Sequence, residues 1–372
     1  MNTVTDLLQA LVQIPSVNPD GDPGVSPNGE QNMAEFIASF LEPLGFQIAI
    51  DEVLPGRPNL IARAPGPEDR PRILLGPHLG TVSIAGMTID PFLAEIRDGK
   101  VHGRGTSDTK GPMAAMLWGL FQNQERLAEL PVAVDFVGFM GEESNQPGSR
   151  HFAKHHAGSY EFAIVGEPTS LQAVYCTKGC LWATLQASGK STHASQPHLG
   201  ENAIVKLIDA LAEIQGPFLE KISQSSHPVL GKSTLNLGMI SGGTRANIVP
   251  AQATAVIDIR TVPELVKDCA ASELLRPHLG DVEIIELMES PPMALSPDHP
   301  WLERLQTIHP DLQLTGAPWF SDAAHLSDLG LPSICLGPGS IDQAHTADEF
   351  IAISDLEEGA KWFTQLIAGL AD

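Results

Sequence analysis

The sequence predicts an α/β protein with a second, smaller unit inserted into it. Three observations carry this. Short apolar runs alternate with amphipathic helical segments, the pattern of a sheet covered by helices. One of these runs, Val132-Ala-Val-Asp-Phe-Val-Gly-Phe-Met140, ends in Gly141-Glu142-Glu143. That places two carboxylates just beyond a strand's carboxyl end, where α/β sheets put their ligands. From about Lys178 the order becomes β-α-β-β-α-β, the ferredoxin-like split unit.

In chain order, Thr5 reads as the cap of a helix carrying Leu7, Leu8, Leu11 and Val12, stopped before Pro15. A loop rich in Pro, Gly and Asn runs from Pro15 to Gly29. An amphipathic helix follows over Glu30–Leu44, with Met33, Phe36, Ile37, Phe40 and Leu41 on one side. Strands are predicted at Gln47–Leu54, Asn59–Ala64 and Arg72–Leu75, and a long helix over Pro112–Leu130. The glutamate strand, a helix at Ser149–His156 and a strand at Phe162–Val165 complete the first part. The insertion reads as strand Leu181–Ala187, helix Asn202–Ile214, strands Thr234–Ile240 and Ala253–Arg260, helix Glu264–Leu275 and strand Val282–Met288. Helix Pro300–Ile308, strand Ser333–Leu336 and helix Ile353–Leu370 then return to the first unit. The expected division is 1–177 and 293–372 for the larger domain and 178–292 for the insertion.

Composition narrows the class. A chain of 372 residues, 42% hydrophobic and 18% charged, can bury a large core and is not disordered. A net charge of −23 argues against nucleic acid or an anionic membrane as partner, and suits a protein that attracts cations. There is no signal-peptide pattern and no apolar run long enough to span a bilayer. The cysteines Cys176, Cys180, Cys269 and Cys335 form no CxxC pair, so they read as structural thiols of a reducing cytoplasm.

Two adjacent carboxylates repel, so Glu142–Glu143 is either a solvated acidic loop or part of a cation site. Four more potential ligands stand at the ends of strands or in the loops beyond. They are His78 after Ile73-Leu-Leu-Gly-Pro, Asp108 in Gly103-Arg-Gly-Thr-Ser-Asp, Glu167 in Ile164-Val-Gly-Glu-Pro-Thr169, and His345 in Gly337-Pro-Gly-Ser-Ile-Asp-Gln-Ala-His345. Singly, each is a hydrogen-bonded loop residue or a cap. Together with Glu143 they make two imidazoles and three carboxylates, a donor set suited to zinc or another divalent transition metal. Two metals sharing one carboxylate would activate a water and polarise a carbonyl.

These segments resemble the M20 family of metallopeptidases and deacylases, in order and over nearly the whole chain. The resemblance implies a zinc-hydrolase-type α/β catalytic domain with an inserted lid through which two chains dimerise. It implies two zinc ions, replaceable by Co2+ or Mn2+, bridged by Asp108. His78 and Glu167 would complete one site, and Glu143 and His345 the other. Glu142 would be the general base. Gly189-Lys-Ser-Thr-His-Ala-Ser195 resembles the segment whose histidine stabilises the oxyanion, which assigns that role to His193. Arg245-Ala-Asn247 and Asp258-Ile-Arg260 also resemble lid segments, making Asn247, Arg245 and Arg260 candidates for a substrate carboxylate. Lys110 is expected to pair with a nearby acid.

One motif departs from the pattern. The family's His-x-Asp reads His78-Leu79-Gly80 here. The missing carboxylate would accept the imidazole N–H and fix its tautomer. Another acceptor or a water replaces it, or the chain is a weakened or non-catalytic relative, or the change is recent or introduced; restoring Gly80→Asp is expected to raise metal affinity and activity. The expected function is removal of the acyl group from an N-acyl amino acid in the manner of acetylornithine deacetylase. A dipeptidase or carboxypeptidase with the same site is the alternative.

Overall fold

In the computed structural model, residues 1–20 and 29–371 are described. The predicted loop from Pro15 to Gly29 therefore falls, at 21–28, outside the described residues. The chain divides into two compact units. The first comprises Met1–Tyr175, Leu295–Thr315 and Ser321–Asp372, and the second Cys176–Ala294 with Gly316–Phe320.

The first unit is built on a mixed sheet. Its strands lie in the order Gln47–Leu54, Arg57–Arg63, Ala133–Gly138, Arg72–Pro77, Phe162–Gly166, Ser333–Cys335 and Ala173–Thr177. Ala133–Gly138, Arg72–Pro77, Phe162–Gly166 and Ser333–Cys335 are mutually parallel, and every residue in them is buried. This accounts for their continuous apolar sequence, since helices cover both faces of such a sheet. The registers Leu75↔Phe136 and Pro77↔Gly166 bring the carboxyl ends of three neighbouring strands to one edge. Asp135 sits inside this apolar layer because it is fully partnered: Arg72 Nη1, Ala64 N–H and the Tyr160 hydroxyl all donate to it.

Helix Lys110–Gln122 is apolar all round, as a central helix must be, and packs against helix Ile353–Gly369. Gly119 makes that approach possible: a Cβ there would lie 2.9 Å from the backbone of Phe363. The helix stops at Gln122, short of the predicted Leu130, because Asn123 turns its side-chain amide onto the Gly119 and Thr364 carbonyls. The first helix is Val4–Val12 and its cap is Thr3, not Thr5. Thr3 Oγ accepts from Asp6 N–H while the Asp6 carboxylate accepts from Thr3 N–H, a reciprocal capping box. Short strands at Glu95–Arg97, Lys100–His102 and Phe350–Ala352 form a small separate sheet that the sequence did not announce.

The second unit is the predicted split β-α-β-β-α-β fold. Its antiparallel sheet runs Thr234–Gly242, Gln252–Thr261, Gly179–Ser188, Glu283–Ser290. Alternate residues Leu181, Ala183, Leu185 and Ala187, with Ala253, Ala255, Ile257 and Ile259, face helix Ala203–Glu213. The helix expected over Glu264–Leu275 is two helices, Pro263–Val266 and Ala271–Leu275. Glu289 Oε1 accepts from Ala271 and Ser272 N–H, so the second starts with its own anionic cap. The four cysteines form no disulfide. No helix among the described residues is long and apolar enough to cross a membrane.

Candidate metal centre

Three parallel strands deliver four side chains to one place. His78 follows Arg72–Pro77, Glu142 and Glu143 follow Ala133–Gly138, and Glu167 follows Phe162–Gly166. Asp108 comes from the loop that ends at helix Lys110–Gln122, and His345 from the loop before Phe350. His345 has φ +63°. The Asp108–Thr109 peptide is cis.

Asp108 is the common member. His78 Nε2 lies 3.0 Å from Asp108 Oδ1, and His345 Nε2 lies 3.3 Å from Asp108 Oδ2 and 3.2 Å from Glu143 Oε2. Ligand atoms within 4.8 Å of one another form three sets: His78, Asp108 and Glu167; Asp108, Glu143 and His345; and His78, Glu142 and Glu143. The first set is buried, whereas the His345 side chain is 56% exposed and forms the open side of the second.

The electrostatics are those of an acidic cluster with too little positive charge. Burial pushes Glu142 well above the usual carboxylate range, and Asp322, Glu143 and Asp108 add to this against the pull of His78. Burial also raises Glu167, again against His78, with Asp108 and Glu142 adding to the rise. The two imidazoles are raised as well, which in their case favours the charged form. Burial disfavours charged His78, but the Asp108 hydrogen bond and charge raise it well above its ordinary value. Hydrogen bonds to Asp108 and Glu143 raise His345 to about 10. Asp108 is buried, yet hydrogen bonds from His345 and His78 hold it well below the carboxylate range.

The donor set fits a divalent cation. Glu143 Oε1 and Glu167 Oε1 are buried with no hydrogen-bond partner. Orphaned carboxylate oxygens are costly, and a cation in each of the two Asp108 sets would satisfy them.

The sequence profile of Peptidase family M20/M25/M40 matches residues 74–369. The chain belongs to this family. It is therefore a hydrolase of amide or peptide bonds. An acetylornithine deacetylase of Vibrio vulnificus is 32% identical, the match covering 95% of this chain and 94% of that one. A probable carboxypeptidase of Aspergillus flavus is also 32% identical, over 97% of this chain and 88% of its own length. Among solved structures, an M20 family metallo-carboxypeptidase from Sulfolobus solfataricus superposes with TM-score 0.79 at 20% identity, covering 100% of both chains. A dinuclear metal-binding peptidase of the family from Bacillus subtilis gives TM-score 0.68 at 16% identity, covering 99% of this chain and 97% of that one.

In this M20 member, four further residues brace the centre. Glu349 is buried and accepts from the N–H groups of Gly105, Ser107 and Asp108, and from Arg104 Nη1 at 2.8 Å. It shapes the loop that carries Asp108. Gln146 Nε2 donates to Glu142 Oε1 at 3.0 Å, and Gln146 Oε1 lies 2.9 Å from His325 Nε2. Asp322 is fully buried, and burial raises it to about 7 against the opposing effect of the Ser149 hydroxyl and His78. Of these, only Glu349 had a local signal, four positions after His345 in Asp348-Glu-Phe.

The remaining predicted residues lie in the second unit. His193 is exposed, its Nδ1 2.7 Å from Ser195 Oγ, and its segment bridges to Ile248. Arg245 and Asn247 are exposed in the neighbouring loop, where Asn247 O accepts from Ala194 N–H. Arg260 is already engaged: its Nε and Nη2 donate to Asp258 at 2.9 and 3.0 Å. This makes it the weakest of the carboxylate-binding candidates. Lys110 pairs with no acid among the described residues. Its Nζ donates to the Ile14 carbonyl oxygen at 2.8 Å, and burial lowers it to about 7.

Gly80 is answered by its own backbone. The His78 Nδ1–H donates to the Gly80 carbonyl oxygen at 2.8 Å, so a peptide acceptor orients the ring where the motif uses aspartate. A Cβ at Gly80 would stand 2.8 Å from Glu30 Oε1, so a side chain at position 80 has to move Glu30 before it can reach His78.

Proposed function

We propose that this chain is a two-zinc amidohydrolase that removes the acyl group from an N-acyl amino acid. The observation that carries this reading is the place of Asp108 in two ligand sets at once, with Glu142 beside both. His78, Asp108 and Glu167 would hold one ion, and Asp108, Glu143 and His345 the other. When bound, such a pair supplies Lewis acidity, making a water nucleophilic at neutral pH and polarising the scissile carbonyl. Glu142 takes the proton from the attacking water. Gln146 anchors its Oε1, which leaves Oε2 for that transfer. As the C–N bond breaks, Glu142 returns the proton to the leaving nitrogen, and carboxylate and amine are the products. His193 is assigned to the oxyanion, and Arg245 and Asn247 to the substrate carboxylate.

The Vibrio relative favours an N-acetyl amino acid such as acetylornithine, and the Aspergillus relative favours a peptide. The hydrogen bond from His78 to Gly80 supports an active centre over a non-catalytic relative. Metal analysis of the purified chain should find about two divalent ions per chain. A panel of N-acetyl amino acids, N-succinyl diaminopimelate and dipeptides should show turnover on the acyl amino acids. Turnover on dipeptides alone would replace this reading with the peptidase one, and a metal-free, inert protein would remove both.

The lid is also proposed to join two copies. Thr234–Gly242 is an edge strand of the second unit's sheet, and Met239 and Ile240 on it are 67% and 57% exposed. Helix Ala203–Glu213 exposes Val205 and Ile208. An unpaired edge next to exposed aliphatic side chains suits a second chain. Sedimentation equilibrium should give twice the chain mass, and Met239→Lys should shift it toward the monomer. A monomeric parent protein would refute this.

A further inference from the structure

The sequence reads as having lost a carboxylate at position 80, and the fold places that of Glu30 beside it. A Cβ built on Gly80 would lie 2.8 Å from Glu30 Oε1 and 3.5 Å from Glu30 Cδ. The Glu30 side chain comes from helix Gly29–Leu41, is wholly buried, and fills the space that a side chain at 80 would enter. Both of its oxygens are committed. Oε1 accepts from Gly141 N–H at 2.7 Å, and Oε2 accepts from Arg57 Nε at 2.7 Å. Gly141 sits at φ +74° and immediately precedes Glu142 and Glu143. Arg57 is held in turn by Asp20 Oδ2 at 2.7 Å and Asn18 Oδ1 at 3.2 Å. Asn18 N–H donates to Thr81 O, and Thr81 N–H to Ser16 O, which ties the same cluster to the loop after His78.

We propose that Glu30 is a positioning residue for the Gly141–Glu143 turn, and that Glu30 and Gly80 are a matched pair. Glu30 sets the turn that presents Glu142 and Glu143 beside His78. Position 80 must then be glycine, because any side chain there would displace a carboxylate already bonded on both oxygens. An aspartate would also place two buried carboxylates against each other. The orientation of His78 passes to the Gly80 backbone, which needs no side chain. The part of this proposal that concerns metal rests on the proposed two-metal centre. The pairing of the two residues does not.

The test is a mutant cycle on the full chain with two readouts. In urea unfolding of the metal-free protein, Gly80→Asp and Glu30→Ala should each lower the midpoint. The double variant should lose less than the two together, since Asp at 80 can enter the vacated space beside Arg57. Additive losses would overturn the pairing. Should Gly80→Asp fail to fold, Gly80→Ala serves in its place. Its loss should shrink in a Glu30→Asp background, where the shorter side chain withdraws, and an equal loss in both backgrounds would overturn the pairing. The second readout is metal alone. In competition with a chromophoric chelator, Gly80→Asp should weaken Co2+ binding by about 10–100-fold; binding as tight as the parent's or tighter would refute the proposal. The visible absorption of folded, Co2+-loaded Glu30→Ala should differ from the parent's. An identical band would reduce Glu30 to a structural role. If no variant and no parent bound cobalt, the two-metal reading would fail while the unfolding cycle still decided the pairing.

Discussion

Glu142→Gln should lower kcat by about 10²–10⁴-fold while KM and bound metal stay close to the parent's. The amide keeps the shape of the side chain and keeps an oxygen for the Gln146 Nε2 donor, which now sits 3.0 Å from Glu142 Oε1. What it removes is the ability to take up and release a proton. Metal should be retained because each of the two proposed ion sites is complete without Glu142. The metal-free variant should also be no less resistant to urea than the parent. Burial and the neighbouring carboxylates Asp322, Glu143 and Asp108 disfavour ionised Glu142, so a neutral replacement relieves repulsion. Steady-state kinetics, metal analysis and urea unfolding of one preparation cover all three expectations. An unchanged kcat would remove Glu142 from proton transfer, and loss of metal would make it a ligand instead.

Glu349→Ala should be the more damaging change to the protein as a whole. Its carboxylate is the shared acceptor for three backbone amides, at 3.1, 2.9 and 3.1 Å, and for Arg104 at 2.8 Å. Truncation leaves the Arg104 guanidinium, 3% exposed, without its carboxylate. Breaking a buried pair in this way typically costs about 3–5 kcal/mol. That is a large part of the roughly 5–15 kcal/mol by which domains are stable. The same amides fix the loop bearing Asp108, so metal content should fall along with the urea midpoint. Glu349→Gln keeps the shape but replaces one acceptor oxygen with a donor, and should lie between parent and Glu349→Ala. If Glu349→Ala unfolded at the parent's urea concentration with its full metal complement, the loop would be holding itself.

The two changes separate what the sequence makes legible from what it hides. Ligands at strand ends are readable because a parallel sheet aligns the carboxyl ends of its strands. Apolar runs before His78, Glu142–Glu143 and Glu167 therefore already imply that these side chains meet. The split fold of the second unit is readable from the order of its strands and helices, with alternation along Gly179–Ser188 and Gln252–Thr261. The supports are not readable, because each acts on a partner far along the chain. Glu30 reaches Gly141 over 111 positions, and Glu349 reaches Asp108 over 241. Both look like ordinary acids at a helix start and in a loop. Gly80 misled for a related reason: a motif records a side chain, and its absence looks like loss when a backbone carbonyl has taken over the bond. At the first helix the sequence points to Thr5 as the cap, two positions too late. Only the reciprocal bond from Asp6 selects Thr3.

The span between Glu349 and the Asp108 loop has a consequence for how the protein is made. The strands that place His78, Glu143 and Glu167 are complete by Gly166, yet His345 and Glu349 leave the ribosome only after the whole second unit has been synthesised. Until then the Asp108 loop lacks the carboxylate that gathers its amides, and the open side of the cluster lacks its imidazole. Closing so long a loop costs entropy, and contacts of such wide sequence separation form slowly. During translation, the emerging chain is therefore an acidic, half-built cradle, and the centre reaches its final shape only as the last strand of the small sheet, Phe350–Ala352, pairs with Lys100–His102.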